Sequence, residues 1–360
     1  MNLFSPLLLF VGIILLGFGE PSGGCHALST TTTGKTPETV IPNHNREPQS
    51  SSPSSSSSSS STPSRRVVAF PGLRASTFRH RLDEDLTVSL DRWPGGTIVR
   101  DGLLRQIVFP LVEQRVRLDL LSTAVKVSER QLPHVYASFT EACRILDIRS
   151  NDRRSHPQLY IQSDPRANAY TLAFRGERTA PIVVVTSALL NQCTDSELRA
   201  VLGHELGHVK CEHSIYLTTG GIVTAPLRNV LLLSPLLGVG DRIEAQLREW
   251  RLAAEYTCDR AALLVAQDPN VVSGALLKLF AGTGGSTITN NNNEFNVEAF
   301  RNQCLEYDAL LDSANPFVRL SVQQRLRQRT HPLPIRRVAA LEKWAASDDY
   351  ARILSQGVEL

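Results

Sequence analysis

This sequence of 360 residues has no closely spaced pair of cysteines, little excess of one charge and few long hydrophobic runs. The six cysteines include no C-x-x-C pair, and five of them lie beyond residue 66. Such an odd set predicts buried thiols rather than a disulfide framework. The formal net charge is only +3, a balance that predicts no basic stripe for nucleic acid. The chain is therefore expected to be a globular protein that does not bind nucleic acid.

Only two stretches are apolar enough to be considered for a membrane. One lies near the N-terminus, at residues 3–18, and the other runs from Ile215 to Gly240, interrupted by Pro226, Arg228 and Pro235. Each uninterrupted half of the second stretch has about a dozen residues, fewer than the roughly twenty needed to cross a bilayer. It is either a hydrophobic hairpin that dips into a lipid surface or a buried connector. A bundle of membrane spans is not expected.

The first 66 residues have the composition of a targeting segment. Residues 1–27 resemble a signal peptide, with an apolar core and an acceptable cleavage site near residues 25–27. Residues 28–66 are rich in Ser, Thr and Pro and include an unbroken run of serine at 54–61. Low hydrophobicity and low complexity predict disorder there. The globular domain is expected at residues 67–350, followed by a tail at 351–360.

The most informative motif is the pentapeptide H-E-L-G-H at residues 204–208. On a helix, His204 and His208 are four residues apart on one face, where both can bind a single Zn²⁺. Glu205 would then lie beside the metal-bound water, where a general base must be. A capping box at residues 194–197 and apolar residues at helical spacing predict a helix from about 195 to 211. The motif therefore indicates a zinc hydrolase site.

A catalytic zinc needs a third protein ligand. The metzincin pattern would place glycine at 211 and histidine at 214, but the chain has Cys211 and Ser214 there, so that class is excluded. His213 lies off the face of the two motif histidines. It is either solvated or a support for a ligand.

A better candidate for the third ligand lies downstream, in the predicted helix 241–267. Glu255 and Asp259 are four apart and share a face, which permits Glu255 to bind zinc while Asp259 accepts the free N–H of a ligating imidazole. Glu244 and Glu249 have no carboxylate four residues later. Cys258 is not expected to share the required face, and neither is the earlier Cys211.

These motifs together resemble one family. HELGH, then EYTCDRAALL about fifty residues later, then Thr330-His331-Pro332 with Arg336 resemble the HtpX/CAAX-prenyl-protease (Ste-type) zinc metallopeptidases. The segments NAYTL, PIVVVTSALL and HPLPIRR resemble the plant plastid, membrane-associated branch, and the likeness spans about residues 78–346.

The resemblance implies a role for each matching position. It implies zinc ligands at His204, His208 and Glu255, with Glu205 as the base and Asp259 as the partner that orients an imidazole. His331 and Arg336 occupy the family's late motif, near the substrate side of the cleft. There they either stabilise the oxyanion of the reaction or simply begin the last helix.

The expected fold class is α+β and mainly helical, a gluzincin-like metallopeptidase domain with a small sheet beside the H-E-x-x-H helix. Strands are expected at 159–162, 169–174 and 182–186, the last two joined by a turn at 175–177. Two helices are expected over 105–149, and single helices at 271–280, 297–313 and 334–347. A loop rich in Gly and Asn is expected at 282–293. An edge strand beside the cleft would pair with extended substrate, and either strand of the 169–186 hairpin suits this role.

The sequence therefore predicts a zinc-dependent metalloendopeptidase with one Zn²⁺ per chain and a protein or peptide substrate. In this mechanism Glu205 activates the zinc-bound water. The alternative is a catalytically silent scaffold on the same fold. A signal peptide followed by a Ser-rich, acid-poor stretch resembles a bipartite plastid leader, so a plastid membrane or lipid surface is the expected location. A secreted protein with a flexible stalk is the alternative.

Overall fold

The computed structural model describes residues 67–91, 109–148, 156–172, 180–213, 239–281, 296–326 and 331–360. All of them belong to one compact unit, Val67–Leu360. The predicted leader, the apolar stretch from Ile215 as far as residue 238, the turn at 175–177 and the loop at 282–293 lie outside the described residues. Within the described part of the chain, no helix combines the length and hydropathy that crossing a bilayer requires.

Helices make up most of the described chain, which confirms the mainly helical α+β prediction. They are α1 (Ala75–Phe78), α2 (Arg81–Asp91), α3 (Phe109–Thr123), α4 (Pro133–Ile145), α5 (Ser187–Gln192), α6 (Asp195–Lys210), α7 (Val239–Ala266), α8 (Pro269–Ala281), α9 (Val297–Ser313), α10 (Pro316–Leu326), α11 (Pro334–Ala345) and α12 (Asp348–Ser355).

The strands form two small sheets, made of β1 (Val68–Ala69), β2 (Ala124–Lys126), β3 (Gln158–Gln162), β4 (Ala169–Leu172), β5 (Ile182–Thr186) and β6 (Val358–Glu359). The larger sheet has the order β2-β3-β5-β4. β3 and β5 are parallel, whereas the two outer pairs are antiparallel. Among the strands that the structure describes, β4 is therefore an edge strand and β5 an inner one.

Strand β5, inside the larger sheet, is buried on both faces. Val183 and Val185 of β5 join the main core with helices α4 and α6. Ile182 and Val184 point the other way and pack with Leu120 of α3. This alternation follows from the two-residue period of a strand. Because β5 is covered on both sides, it reads as an unbroken apolar run in the sequence.

Helix α6 begins where its capping box predicts. The Thr194 hydroxyl accepts from the backbone N–H of Glu197, and the Glu197 carboxylate accepts from the backbone N–H of Thr194 at 2.8 Å. The same carboxylate forms an ion pair with the Lys278 ammonium of α8 at 2.7 Å. These contacts fix the start of α6, and hence the rotation of its later turns, against the neighbouring helix.

Two glycines let α6 and α7 approach closely. A Cβ added at Gly203 would lie 2.8 Å from Val265 Cβ, and one at Gly207 would lie 2.9 Å from Ala261 Cβ. Both distances are shorter than side-chain carbons tolerate. Small residues on both helices therefore bring the H-E-x-x-H turn of α6 against the middle of α7.

Some elements were not predicted. The region 109–148 holds strand β2 between two helices, because β2 pairs with the distant β3 and no local pattern marks it. Helices α1, α2, α5, α10 and α12 were also not predicted. The predicted tail, residues 351–360, contains the end of α12 with buried Ile353 and the strand β6, which pairs with β1. The C-terminal residues are thus packed onto the domain.

Candidate metal centre

The two motif histidines lie next to a carboxylate of α7. The Nε2 atom of His204 is 3.5 Å from Oε2 of Glu255, and the Nε2 atom of His208 is 3.6 Å from Oε1 of the same residue. Both imidazoles are mostly buried, and Glu255 is 4% exposed. The structure therefore brings together the three residues that the sequence predicted as zinc ligands, with one carboxylate oxygen facing each ring.

Asp259 supports the first of these imidazoles. The Nδ1–H of His204 donates to Oδ1 of Asp259 at 3.1 Å, because a carboxylate can only accept. Because Nδ1 is taken up by Asp259, Nε2 is the ring nitrogen of His204 that faces Glu255 and would bind a metal ion after losing its proton. This is the contact that the four-residue spacing of Glu255 and Asp259 predicted.

Arg337 completes the buried cluster, and sequence reasoning missed it. Its guanidinium donates to both oxygens of Asp259 at 2.8 and 2.6 Å and lies 3.3 Å from Oε2 of Glu255. Such a forked pair of hydrogen bonds is the strong geometry of an arginine–carboxylate pair. The pKa of Asp259 is lowered because Arg337 and His204 outweigh the effect of burial.

Arg336, which the sequence placed in the site, lies elsewhere. Its guanidinium pairs with Asp308 at 3.0 Å and lies over the ring of Tyr307. Adjacent residues of a helix point about 100° apart, so only one of Arg336 and Arg337 can face α7. The packing of α11 selects Arg337, and the R-R pair in HPLPIRR was the available signal for it.

The expected base, Glu205, is held by the edge strand β4. The Thr171 hydroxyl lies 2.7 Å from Oε2 of Glu205 and donates to it. Glu205 is 6% exposed. Burial raises the pKa of Glu205 above its ordinary value, although His204 and the Thr171 hydrogen bond oppose this shift. A carboxylate with a raised pKa is a better proton acceptor for work near neutral pH.

His331 reaches the same cluster from the solvent side. Its Nδ1 atom lies 3.3 Å from Oε2 of Glu255, and its side chain is 57% exposed. It is the most exposed of the groups around Glu255. This position, at the start of the segment that leads into α11, suits a residue that meets an incoming molecule.

Cys258 also faces the cluster, contrary to the sequence-based expectation. Its sulfur lies within 4.8 Å of one ring nitrogen of His204 and one ring nitrogen of His208. Cys258 is three residues after Glu255 and so shares its helix face. Burial raises the pKa of the Cys258 thiol well above its ordinary value, and the thiolate is the form that binds metals. Its sulfur also lies 3.5 Å from Nδ1 of His213.

The donor set and its charge suit a divalent cation. Two imidazoles and one carboxylate form a ligand set that zinc takes in hydrolases. Burial lowers the pKa of His204, but hydrogen bonds to Asp259 and Glu255 outweigh this and raise the pKa to about 9. With no cation bound, the imidazolium of His204 and the guanidinium of Arg337 balance the carboxylates of Glu255 and Asp259, so a bound cation would take the place of the His204 proton. The residues present fit Zn²⁺.

The helical fold with a small sheet and an H-E-x-x-H helix beside a buried carboxylate defines the class of metal-dependent peptidases. Comparison with known sequences agrees. The family model described as Peptidase family M48 matches residues 142–345. The chain belongs to this family and is a metallopeptidase.

Individual relatives are similar to different extents. The chain is 37% identical over 287 residues to plastoglobule-localized metallopeptidase 48, chloroplastic, of Arabidopsis thaliana, covering 80% of this chain and 77% of that protein. It is 28% identical over 180 residues to a protease HtpX homolog of Moorella thermoacetica, covering 43% of this chain and 58% of that protein. The crystal structure of S. mikatae Ste24p gives a TM-score of 0.38 at 14% identity, covering 76% of this chain and 68% of that one. That structural likeness is too low to carry an argument.

Proposed function

We propose that this metallopeptidase is a zinc-dependent endopeptidase in which Glu205 is the general base. The observation that carries the proposal is the arrangement around Glu255, where each carboxylate oxygen faces the Nε2 atom of one motif histidine. In this assignment His204, His208 and Glu255 hold the metal. A bound Zn²⁺ supplies a Lewis acid that polarises the peptide carbonyl and acidifies a water molecule.

Glu205 moves the proton. Its side chain follows His204 directly on α6 and is buried at the cluster, so it can accept a proton from the attacking water. The raised pKa of Glu205 favours this transfer. The same carboxyl group then returns the proton to the leaving amine, which would otherwise depart as an unstable anion.

The remaining groups position the metal ligands and stabilise the oxyanion. Asp259 holds the tautomer of His204 through the Nδ1 contact. Arg337 holds Asp259 and Glu255 in turn. In this proposal His331, at the exposed side of Glu255, donates to the oxyanion that forms when the carbonyl is attacked. Arg336 is not part of this proposal because it pairs with Asp308.

The edge strand β4 offers a place for the substrate backbone. Its inner edge pairs with β5, and it has no other neighbour among the strands that the structure describes. Thr171 of β4 contacts the base, so a peptide added to the outer edge of β4 would run past Glu205. Addition of an extended peptide to a sheet edge is a common mode of recognition, and it favours unfolded or extended protein substrates.

The proposed location is a plastid lipid surface. The support is the name of the Arabidopsis relative, a plastoglobule-localized chloroplast protein that is 37% identical to this chain. The stretch from Ile215 to Gly240 remains the proposed lipid contact, and nearly all of it falls outside the described residues. Flotation of the purified chain with vesicles of plastid lipid, compared with a variant lacking residues 215–238, tests the contact.

Activity and metal dependence can be tested together. Full-length protein should contain about one zinc per chain and cleave unfolded casein, and 1,10-phenanthroline should abolish cleavage that added Zn²⁺ restores. Internal fragments in the mass spectrum would identify endopeptidase activity. Zinc-loaded protein that cleaves neither casein nor a peptide library would contradict the proposal and favour the silent scaffold.

A further inference from the structure

His208 has a second partner that the proposed mechanism does not use. Its Nδ1 atom lies 3.1 Å from Nδ1 of His213. The His213 ring is fully buried, its Nε2 atom lies 3.0 Å from Oδ2 of Asp83, and Asp83 is also fully buried. His208 is therefore linked through His213 to a carboxylate on helix α2. The spacing of His213 in the sequence left its role open between solvent and support.

Neighbouring hydroxyl groups determine the direction of these hydrogen bonds. Thr257 Oγ1 accepts the backbone N–H of His80, so its own proton goes to Oδ2 of Asp83 at 2.7 Å. Thr87 Oγ1 accepts the indole N–H of Trp250 and likewise donates to Oδ1 of Asp83 at 3.2 Å. Asp83 is thus surrounded by donors and acts as an ionised acceptor.

The proton positions on both rings follow. Because Asp83 accepts, the Nε2–H of His213 donates to it, and Nδ1 is the ring nitrogen of His213 that is left to accept. The nearest donor to that atom is the Nδ1–H of His208, at 3.1 Å, and the thiol of Cys258, a weaker donor, lies at 3.5 Å. His208 is left with an unprotonated Nε2 atom, which is the atom that faces Glu255 at 3.6 Å.

We propose that His213 and Asp83 are positioning residues that fix the tautomer and the ring orientation of His208 for metal binding. This inference rests on the proposed function, in which His208 is a ligand. Ligating histidines usually donate their second N–H directly to a carboxylate, a carbonyl or water, as His204 does to Asp259. His208 instead reaches its carboxylate through a second imidazole.

The arrangement makes the metal centre depend on the docking of α2. Asp83 lies on α2, His213 lies just beyond the end of α6, and Thr257 lies on α7. The His213 ring also packs edge-on against Trp250, with centroids 5.5 Å apart. These contacts hold His213 from three sides, so a residue that is not a ligand is nevertheless locked in one orientation.

Two substitutions separate positioning from packing. His213→Phe keeps the ring volume and removes both nitrogens, whereas His213→Asn keeps an acceptor near the Nδ1 position. His134→Asn, at an exposed site on α4, is the matched control. Zinc affinity, measured by competition with a chromogenic chelator, should fall about 10–100-fold for His213→Phe. It should recover in part for His213→Asn and stay unchanged for His134→Asn.

Thermal unfolding with and without zinc distinguishes this role from a structural one. If His213 only packs, His213→Phe should lower the Tm of apo and zinc-loaded protein equally. A positioning role predicts instead that the zinc-induced rise in Tm shrinks, because the rise depends on affinity. Imidazole ¹⁵N spectra of the wild-type apo protein should show His208 protonated on Nδ1 and His213 on Nε2.

The possible results are distinct. Wild-type protein that binds zinc, with His213→Phe binding it equally well, would overturn the inference and leave the proposed function standing. The opposite tautomer at His208 would also overturn it. Wild-type protein that neither binds zinc nor cleaves casein would refute the proposed function instead. If His213→Phe does not fold, His213→Asn and the wild-type spectra still decide.

Discussion

The hydroxyl of Thr171 donates to Oε2 of Glu205 at 2.7 Å. This bond joins the edge strand β4, where we place the substrate backbone, to the residue that we assign as the base. A peptide that adds to β4 would therefore be held in a fixed relation to Glu205. The same hydroxyl also lies 3.0 Å from the backbone carbonyl of Glu205, which ties the strand to the helix at that turn.

Removal of this hydroxyl should shift the pH dependence of cleavage. The hydrogen bond stabilises the ionised form of Glu205 and so lowers its pKa. Thr171→Val should raise the pKa further, so the acid limb of kcat/KM, where the base becomes protonated, should move to higher pH. Thr140→Val, at an exposed helical site, is the control. An acid limb that stays in place or moves to lower pH would contradict the assignment of Glu205.

Glu255 should be the third ligand. Glu255→Ala should lower zinc occupancy sharply, whereas Glu249→Ala, on the same helix but exposed, should not. Asp259→Asn should have an intermediate effect of about 10–100-fold on zinc affinity or activity. Metal analysis and chelator competition measure each variant, and equal zinc binding by the two alanine variants would rule out this ligand set.

Cys258 provides the competing assignment. Because its thiol is held protonated by burial and lies toward His213, Cys258→Ala should retain zinc and most of the activity. Loss of zinc from Cys258→Ala, with retention by Glu255→Ala, would exchange the two residues in the ligand set.

Arg337 and Arg336 should differ strongly although they are adjacent. Arg337→Ala would leave Asp259 and Glu255 buried without their cation, and removal of one partner of a buried ion pair costs about 3–5 kcal/mol. We expect a clear loss in Tm together with weaker zinc binding. Arg336→Ala removes a half-exposed pair with Asp308 and should change the stability by under about 1 kcal/mol. Similar Tm values for the two variants would show that Arg337 does not support the site.

The close contact of α6 and α7 makes a separate prediction. In Gly207→Ala the new Cβ would lie 3.1 Å from Cα of Cys258, a backbone atom that cannot move aside alone. Overpacking of this kind costs about 1–3 kcal/mol and should also displace His208 from Glu255. Gly274→Ala meets side-chain atoms and no backbone atom, namely Oε1 of Glu197 at 3.2 Å and Cγ2 of Val297 at 3.9 Å, and should cost less than Gly207→Ala. Denaturant unfolding compares the two, and a tolerated Gly207→Ala would contradict the packing argument.

Residues linked by helical spacing could be predicted from the sequence. His204 and His208 are four residues apart, and so are Glu255 and Asp259. Each pair therefore shares a face of its helix by helix geometry alone. The Thr194 capping box was predicted for the same local reason. Such patterns act within one element and need no knowledge of the tertiary fold.

Residues that reach the site from other elements could not be predicted in this way. Thr171 comes from a strand, Arg337 from α11 and Asp83 from α2, and no local pattern signals which of their neighbours faces the cluster. The resemblance to the family indicated Arg336, but which of Arg336 and Arg337 faces α7 depends on the rotation of α11 about its axis. Cys258 was rejected although its spacing from Glu255 places it on the same face.

The central claim, that Glu205 is the base and not a ligand, is tested most directly by Glu205→Gln. Glutamine has nearly the same shape but cannot accept a proton at neutral pH, so zinc binding and folding should persist while casein cleavage falls by about 10²–10⁴-fold. Zinc content and turnover should be measured on the same preparation of wild-type and variant protein. Full zinc with lost turnover is the predicted result. Loss of zinc together with turnover, or cleavage at the wild-type rate, would contradict the account.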